Sequence, residues 1–91
     1  MPGYFYILQS ETNGHYYIGS TLDPDSRLAR HNANAVSATR GKGPWKRVAL
    51  VSFASSEIAK KAEAFIKRQK SRRIVKLVMS GDFIWPDGFS S

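Results

Sequence analysis

The chain of 91 residues contains no cysteine, which excludes disulfide bridges and thiolate-held zinc. Histidine is scarce as well: His15 and His31 are the only two, a poor set for a zinc site. No apolar run approaches the roughly 20 residues of a membrane-spanning helix. No charged leader precedes a hydrophobic stretch at the N-terminus. These absences predict a soluble, cytoplasmic protein with no membrane association. Acidic side chains are few, seven against fourteen Lys and Arg, for a net charge of +7. No asparagine follows Asn34. The apolar share of 42% lies above that of a disordered chain, and the length suits one domain around a single core.

The positive charge is concentrated. Residues 40–76 hold twelve of the fourteen basic side chains and two acids, Glu57 and Glu63. Such a stretch raises the local concentration of polyanions and favours phosphate contacts. A solvated basic helix face would show the same composition, but nucleic acid is the better-matched partner.

Residues 4–9 (YFYILQ) and 15–21 (HYYIGST) are rich in aromatic and β-branched side chains and predict strands, with Asn13-Gly14 between them as a hairpin signal. A two-residue turn at Asn13-Gly14 would set Ser10 opposite Tyr17 and Tyr6 opposite Thr21. A longer loop would pair Leu8 with Tyr17 and bring Tyr6 closer to Tyr17 on the same face. The sequence does not choose between these registers. Asp23-Pro24 predicts a helix start, with an aspartate cap and a proline in the first turn, for a helix from Pro24 to about Ala33. Arg27 and His31 then share one face of that helix. Residues 35–44 read as a flexible loop of small residues, glycine and base. Residues 46–53 (KRVALVSF) carry the continuous apolar run expected of a central strand. Ser55 or Ser56 can cap a helix from about Ser56 to Lys70, with Ile58, Ala59, Ala62, Phe65 and Ile66 as its apolar stripe and Glu63 at the border. A last short helix should stop at Gly81. The tail has no periodicity; its aromatics, Phe83 and Trp85, are expected to pack back onto the core. The order predicts a small α/β sandwich with a three-stranded, mostly antiparallel central sheet flanked by helices.

Tyr4-Phe5-Tyr6, Tyr17-Ile18-Gly19-Ser20-Thr21, Arg27, His31, Gly43-Pro44-Trp45 and Glu63, in that order and spacing, resemble the GIY-YIG endonuclease superfamily over residues 3 to 77. The first signature is degenerate, Tyr-Phe-Tyr standing for Gly-Ile-Tyr. The chain is most similar to the short stand-alone bacterial members, themselves similar to the nuclease subunit of structure-selective Slx1-type endonucleases. The resemblance implies a nuclease-like domain over residues 1–81 and a tail over 82–91.

It also implies roles. Tyr6 would act as general base or orient the attacking water, and Tyr17 would hydrogen-bond the water or the scissile phosphate. Gly19 would keep its strand thin for close approach of the substrate. Arg27 would hold the phosphate and stabilise charge in the transition state. His31 would polarise a tyrosine hydroxyl or contact the phosphate. Glu63 would ligate a single Mg²⁺ or Mn²⁺. Arg40 is the candidate for a further basic group after the first helix, and Lys42, Lys46, Lys67 and Lys70 are candidates for flanking phosphates. An unperturbed tyrosine titrates near pH 10, so Tyr6 needs neighbouring positive charge, or a supporting role, to work at neutral pH.

Each residue also has a structural reading. Tyrosines in a hairpin commonly serve packing, Glu63 could pair with Lys67 or Lys60 along its helix, and Trp45 suits a core anchor at a strand entrance. The expected function is a metal-dependent DNA endonuclease, structure-selective and of the kind used in repair or recombination. The competing readings are a non-catalytic nucleic-acid-binding module and a nuclease subunit that needs a protein partner, docked through Phe83-Ile84-Trp85.

Overall fold

Ser10 decides how the chain turns back on itself. In the computed structural model, which describes residues 1–89, its buried Oγ accepts from the backbone N–H groups of Thr12 (3.1 Å) and Asn13 (3.2 Å). The same hydroxyl donates to the Lys42 carbonyl at 2.7 Å. The loop runs from Glu11 to His15, and within it Gly14 takes φ +76°, a left-handed conformation that glycine adopts without strain. Strand β1 (Gly3–Ser10) pairs antiparallel with β2 (Tyr16–Thr21). Leu8 lies opposite Tyr17 and Tyr6 opposite Gly19. Of the two registers open to the sequence, the longer-loop one is adopted.

Strand β3 (Trp45–Phe53) pairs antiparallel with the other side of β1, giving the order β2-β1-β3. The expectation of a central position for residues 46–53 is thus corrected: β1 is central and β3 is an edge. Its apolar run has another cause. The register shifts between Ile7 and Leu8, leaving Val48 as an extra residue in β3. The bulge explains how the neighbours Val48 and Ala49 both reach the same core cluster, while Leu50 is left exposed.

Helix α1 (Pro24–Asn32) starts as its sequence predicts, with Asp23 accepting from the Ser26 N–H at 3.1 Å. Helices α2 (Ser56–Gln69) and α3 (Arg72–Ser80) begin at Ser55 and Ser71, whose side chains accept from Ile58 and Ile74, and α3 stops at Gly81 with φ +82°. The sheet separates two apolar clusters. On one face Phe5, Ile7, Phe53, Ala59, Ala62, Ile66, Val75, Val78 and Phe89 form the main core under α2 and α3. On the other, Tyr6, Leu8 and Trp45 pack with Tyr17 and with Leu28 of α1.

The aromatic side chains of the tail over 82–89 pack into the main core. The Trp85 ring lies 5.5 Å from Phe5, 5.3 Å from Phe53, 4.9 Å from Phe83 and 5.5 Å from Phe89, centroid to centroid. Residues 90 and 91, the end of the tail segment, lie outside the described residues. Of the docking trio Phe83-Ile84-Trp85, only Ile84 is left exposed, because the two aromatic side chains are already used inside the fold. Among the described residues, no helix is long and apolar enough to cross a membrane.

Candidate active site

The site is built on the α1 side of the sheet. Register places Tyr6, Tyr17 and Gly19 on one face, and alternation along β1 sends Phe5 and Ile7 to the other. The four-residue spacing of Arg27 and His31 turns both from α1 toward that face. Tyr6 is 2% exposed and His31 is fully buried. Tyr6 Oη and His31 Nε2 are 2.9 Å apart, and His31 Nδ1 lies 2.7 Å from Thr39 Oγ1. The Tyr17 ring stands 4.9 Å from the imidazole and 6.4 Å from the Tyr6 ring. Gly19 lets this cluster form: a Cβ there would come within 2.5 Å of Tyr6 Oη. A side chain at 19 would displace the phenol.

Arg27 is half-buried beside these groups, and among the described residues its Nε is the one buried side-chain nitrogen or oxygen without a hydrogen-bond partner. Burial raises the Tyr6 phenol above its ordinary value of 10.0; Tyr17 and Glu63 add to the rise and Arg27 opposes it. His31 is lowered from 6.5, first by burial and then by the charges of Arg27 and Arg30. At neutral pH the pair is therefore a protonated phenol and a neutral imidazole.

Glu63 comes from the other side of the sheet. Its helix, α2, covers the opposite face of the sheet, and its carboxylate lies against the β2 edge. Oε1 accepts from Ser20 Oγ at 2.7 Å and Oε2 pairs with Lys67 Nζ at 2.7 Å. Tyr6 approaches Gly19 from one face while Glu63 binds the adjacent Ser20 from the other. The phenol and the carboxylate thus lie on opposite faces of the sheet, at adjacent residues of β2.

The remaining candidates are dispersed. Arg40 is exposed and its Nε donates to the Asn34 carbonyl at 3.2 Å. Lys42 Nζ donates to the Ala38 carbonyl at 3.4 Å. Lys46 is exposed on β3, and Lys70 is exposed at the end of α2 with φ 48°. Trp45 is buried and packs edge-on against Tyr17 at 6.4 Å.

Two residues escaped the sequence reading. Asn32 clamps β3 to the end of α1, accepting from the Trp45 N–H at 2.7 Å and donating to its carbonyl at 3.0 Å. Thr39, fully buried, is the residue of the 35–44 segment that touches the cluster. That segment is less free than expected, since it contains a 3₁₀ turn over Ser37–Thr39 and Gly41 donates to Asn34 Oδ1 at 3.1 Å. Neither residue has a periodic or motif signal that could have found it.

The family described as the GIY-YIG catalytic domain matches residues 2–76. The chain belongs to that family. A UPF0213 protein of Streptococcus pneumoniae serotype 4 is 44% identical over 68 residues, 74% of this chain and 68% of the relative. The UPF0213 protein BH0048 of Halalkalibacterium halodurans is 37% identical over 79 residues, 86% of this chain and 83% of the relative. The solution NMR structure of that protein, under the name Bacillus halodurans, superposes with a TM-score of 0.54 over 88% of this chain and 84% of the other. The fold described above is therefore the fold of this family. A structure-specific endonuclease subunit, SLX1, of Phaeosphaeria nodorum is 33% identical over 66 residues, which cover 65% of this chain but 18% of that relative.

Proposed function

We propose that this GIY-YIG domain, assigned to residues 1–81, is a metal-dependent endonuclease hydrolysing phosphodiester bonds in DNA. The observation that carries the reading is the unpartnered Nε of Arg27 beside the Tyr6–His31 pair and Tyr17. A buried cationic donor with no acceptor, next to a proton donor and a proton acceptor, suits a phosphate oxygen.

Arg27 would bind the scissile phosphate and neutralise charge that grows on it. The Tyr17 hydroxyl would orient the attacking water. Tyr6 would take a proton from that water as its own passes to His31 Nε2. The water oxygen bonds to phosphorus as the bond to the leaving oxygen breaks; the leaving oxygen takes a proton from a solvent water, and the proton on His31 returns to solvent through Tyr6 once the products depart. Gly19 leaves room for the Tyr6 phenol, and Arg40, Lys42, Lys46, Lys67 and Lys70 would meet flanking phosphates.

The donor set at Glu63 fits a hard cation. It offers carboxylate oxygens beside the Ser20 hydroxyl, and the carboxylate already holds the Lys67 ammonium. Among the described residues no group of three or more His, Cys, Asp or Glu could hold a metal. The fit is therefore to a single Mg²⁺ or Mn²⁺ held by Glu63, with most other ligands from water and substrate. When bound, the ion would supply positive charge to the phosphoryl and leaving oxygens.

The test is incubation of the purified protein with branched, single-stranded and duplex DNA, with Mg²⁺, Mn²⁺ or chelator. Glu63→Ala and Arg27→Ala should each abolish cutting while leaving most DNA binding in place. Binding that survives with no cutting in the native protein would support a non-catalytic module instead. A partner-dependent nuclease is favoured by one observation, that the SLX1 relative is named a subunit and is far longer than this chain. Such a protein would cut only after addition of its partner.

A further inference from the structure

Tyr6, His31 and Thr39 form a buried chain of hydrogen bonds whose direction is determined. Tyr6 Oη is protonated at neutral pH and shielded from solvent, so its O–H must find an acceptor. Arg27 is only a donor, and the acceptor in reach is His31 Nε2 at 2.9 Å. Nε2 must then be bare, and the neutral imidazole carries its proton on Nδ1. That N–H, inside a fully buried ring, needs an acceptor of its own. Thr39 Oγ1 provides it at 2.7 Å, leaving the threonine proton free to point to the Val36 carbonyl at 3.4 Å.

We infer that Thr39 is a positioning residue: it holds His31 in the Nδ1–H form and so keeps Nε2 open to the Tyr6 proton. Its consequence for cleavage rests on the nuclease reading above. Its effect on the imidazole does not. With the proton on the other nitrogen, Nε2–H would donate to Tyr6, and the phenol proton would have no place on His31. The water proton could then not be taken by Tyr6 while Tyr6 delivers its own. Thr39 touches neither substrate nor reacting atoms in this scheme; it acts through His31.

The decisive measurement is made on the full chain by long-range ¹H–¹⁵N NMR of the imidazoles near pH 8. Native His31 should be protonated on Nδ1 and bare on Nε2. Thr39→Val, which keeps the volume and removes the acceptor, should move the proton wholly or partly to Nε2. Thr39→Ser should restore the native pattern. In cleavage assays Thr39→Val should lower kcat on the order of 100-fold, the scale of a misplaced acid-base partner, with KM unchanged, and Thr39→Ser should recover it.

A native His31 protonated on Nε2 overturns the inference, and this result needs no variant to fold. So does an unaltered imidazole in Thr39→Val, or a shifted imidazole with unchanged kcat. If the native protein cuts no DNA under any condition, the nuclease reading falls, while the NMR comparison still decides whether Thr39 sets the imidazole.

Discussion

Gly19 lies directly under the Tyr6 hydroxyl, so close that a Cβ at position 19 would stand 2.5 Å from Oη and 2.5 Å from Cζ. The glycine is thus a spatial requirement of the phenol on the next strand. Gly19→Ala is expected to push Tyr6 away from His31, breaking the 2.9 Å contact and destabilising the fold by about 1–3 kcal/mol, the usual cost of overpacking. Cleavage should fall by more than stability alone explains. Urea melts and cleavage rates on the same protein check both; a variant with native activity would show that Tyr6 need not occupy this place.

The contrast between Gly19 and Thr39 shows what could be read from the chain. Gly19 sits in a short motif with a tyrosine, inside a strand whose alternation fixes its face. Caps such as Asp23 and Ser55, the apolar stripe of α2 and the stop at Gly81 were legible for the same reason, because each is a local rule of backbone geometry. Thr39 and Asn32 act through side-chain hydrogen bonds to residues distant in sequence, which leave no period. The order of the strands was hidden too, since an edge strand covered on one face and bulged at Val48 has the same apolar run as a central one. At Glu63 the sequence allowed both a metal ligand and a helix ion pair. The structure has the ion pair, to Lys67, and adds a bond to Ser20 that spacing alone could not show.

Acid should weaken the fold through His31. Its folded value lies below the ordinary 6.5 because it is buried and because Arg27 and Arg30 face it. Tyr6 and Thr39, its hydrogen-bond partners, carry no charge at these pH values. Below about 6.5 the unfolded chain takes up a proton that the folded protein resists. Stability is therefore fully present above that pH and is lost as pH falls toward the lower folded value. Thermal melts at pH 7.5, 6.5 and 5.5 should show a decreasing midpoint, and His31→Gln should flatten the dependence. An equal or higher native midpoint at pH 5.5 would contradict the assignment.

Trp85 is expected to matter more than its place in the tail suggests. It contacts Phe5, Phe53, Phe83 and Phe89, so Trp85→Ala should cost about 3 kcal/mol, the lower end for a large aromatic because the ring is only partly buried. Ile84, 88% exposed, should tolerate serine within about 0.5 kcal/mol. Chemical denaturation of the two variants separates a structural tail from a docking one. Equal small effects would return the tail to the role of a partner site.

Lys67 sits where a metal's charge would act. Its Nζ lies 2.7 Å from Glu63 Oε2, four residues on along α2, with the lysine half exposed. An exposed pair of this kind contributes little to stability, below about 1 kcal/mol, so Lys67→Met should fold normally. Removing the competing ammonium should nevertheless tighten Mn²⁺ binding, on the order of fivefold if the pair is worth about 1 kcal/mol. Titration calorimetry with Mn²⁺ reads this directly and independently of cutting, with Glu63→Gln as the control in which binding is lost. Affinity that is unchanged in Lys67→Met, or that persists in Glu63→Gln, would mean that the ion is held elsewhere and that the Glu63–Lys67 pair only ties α2 together.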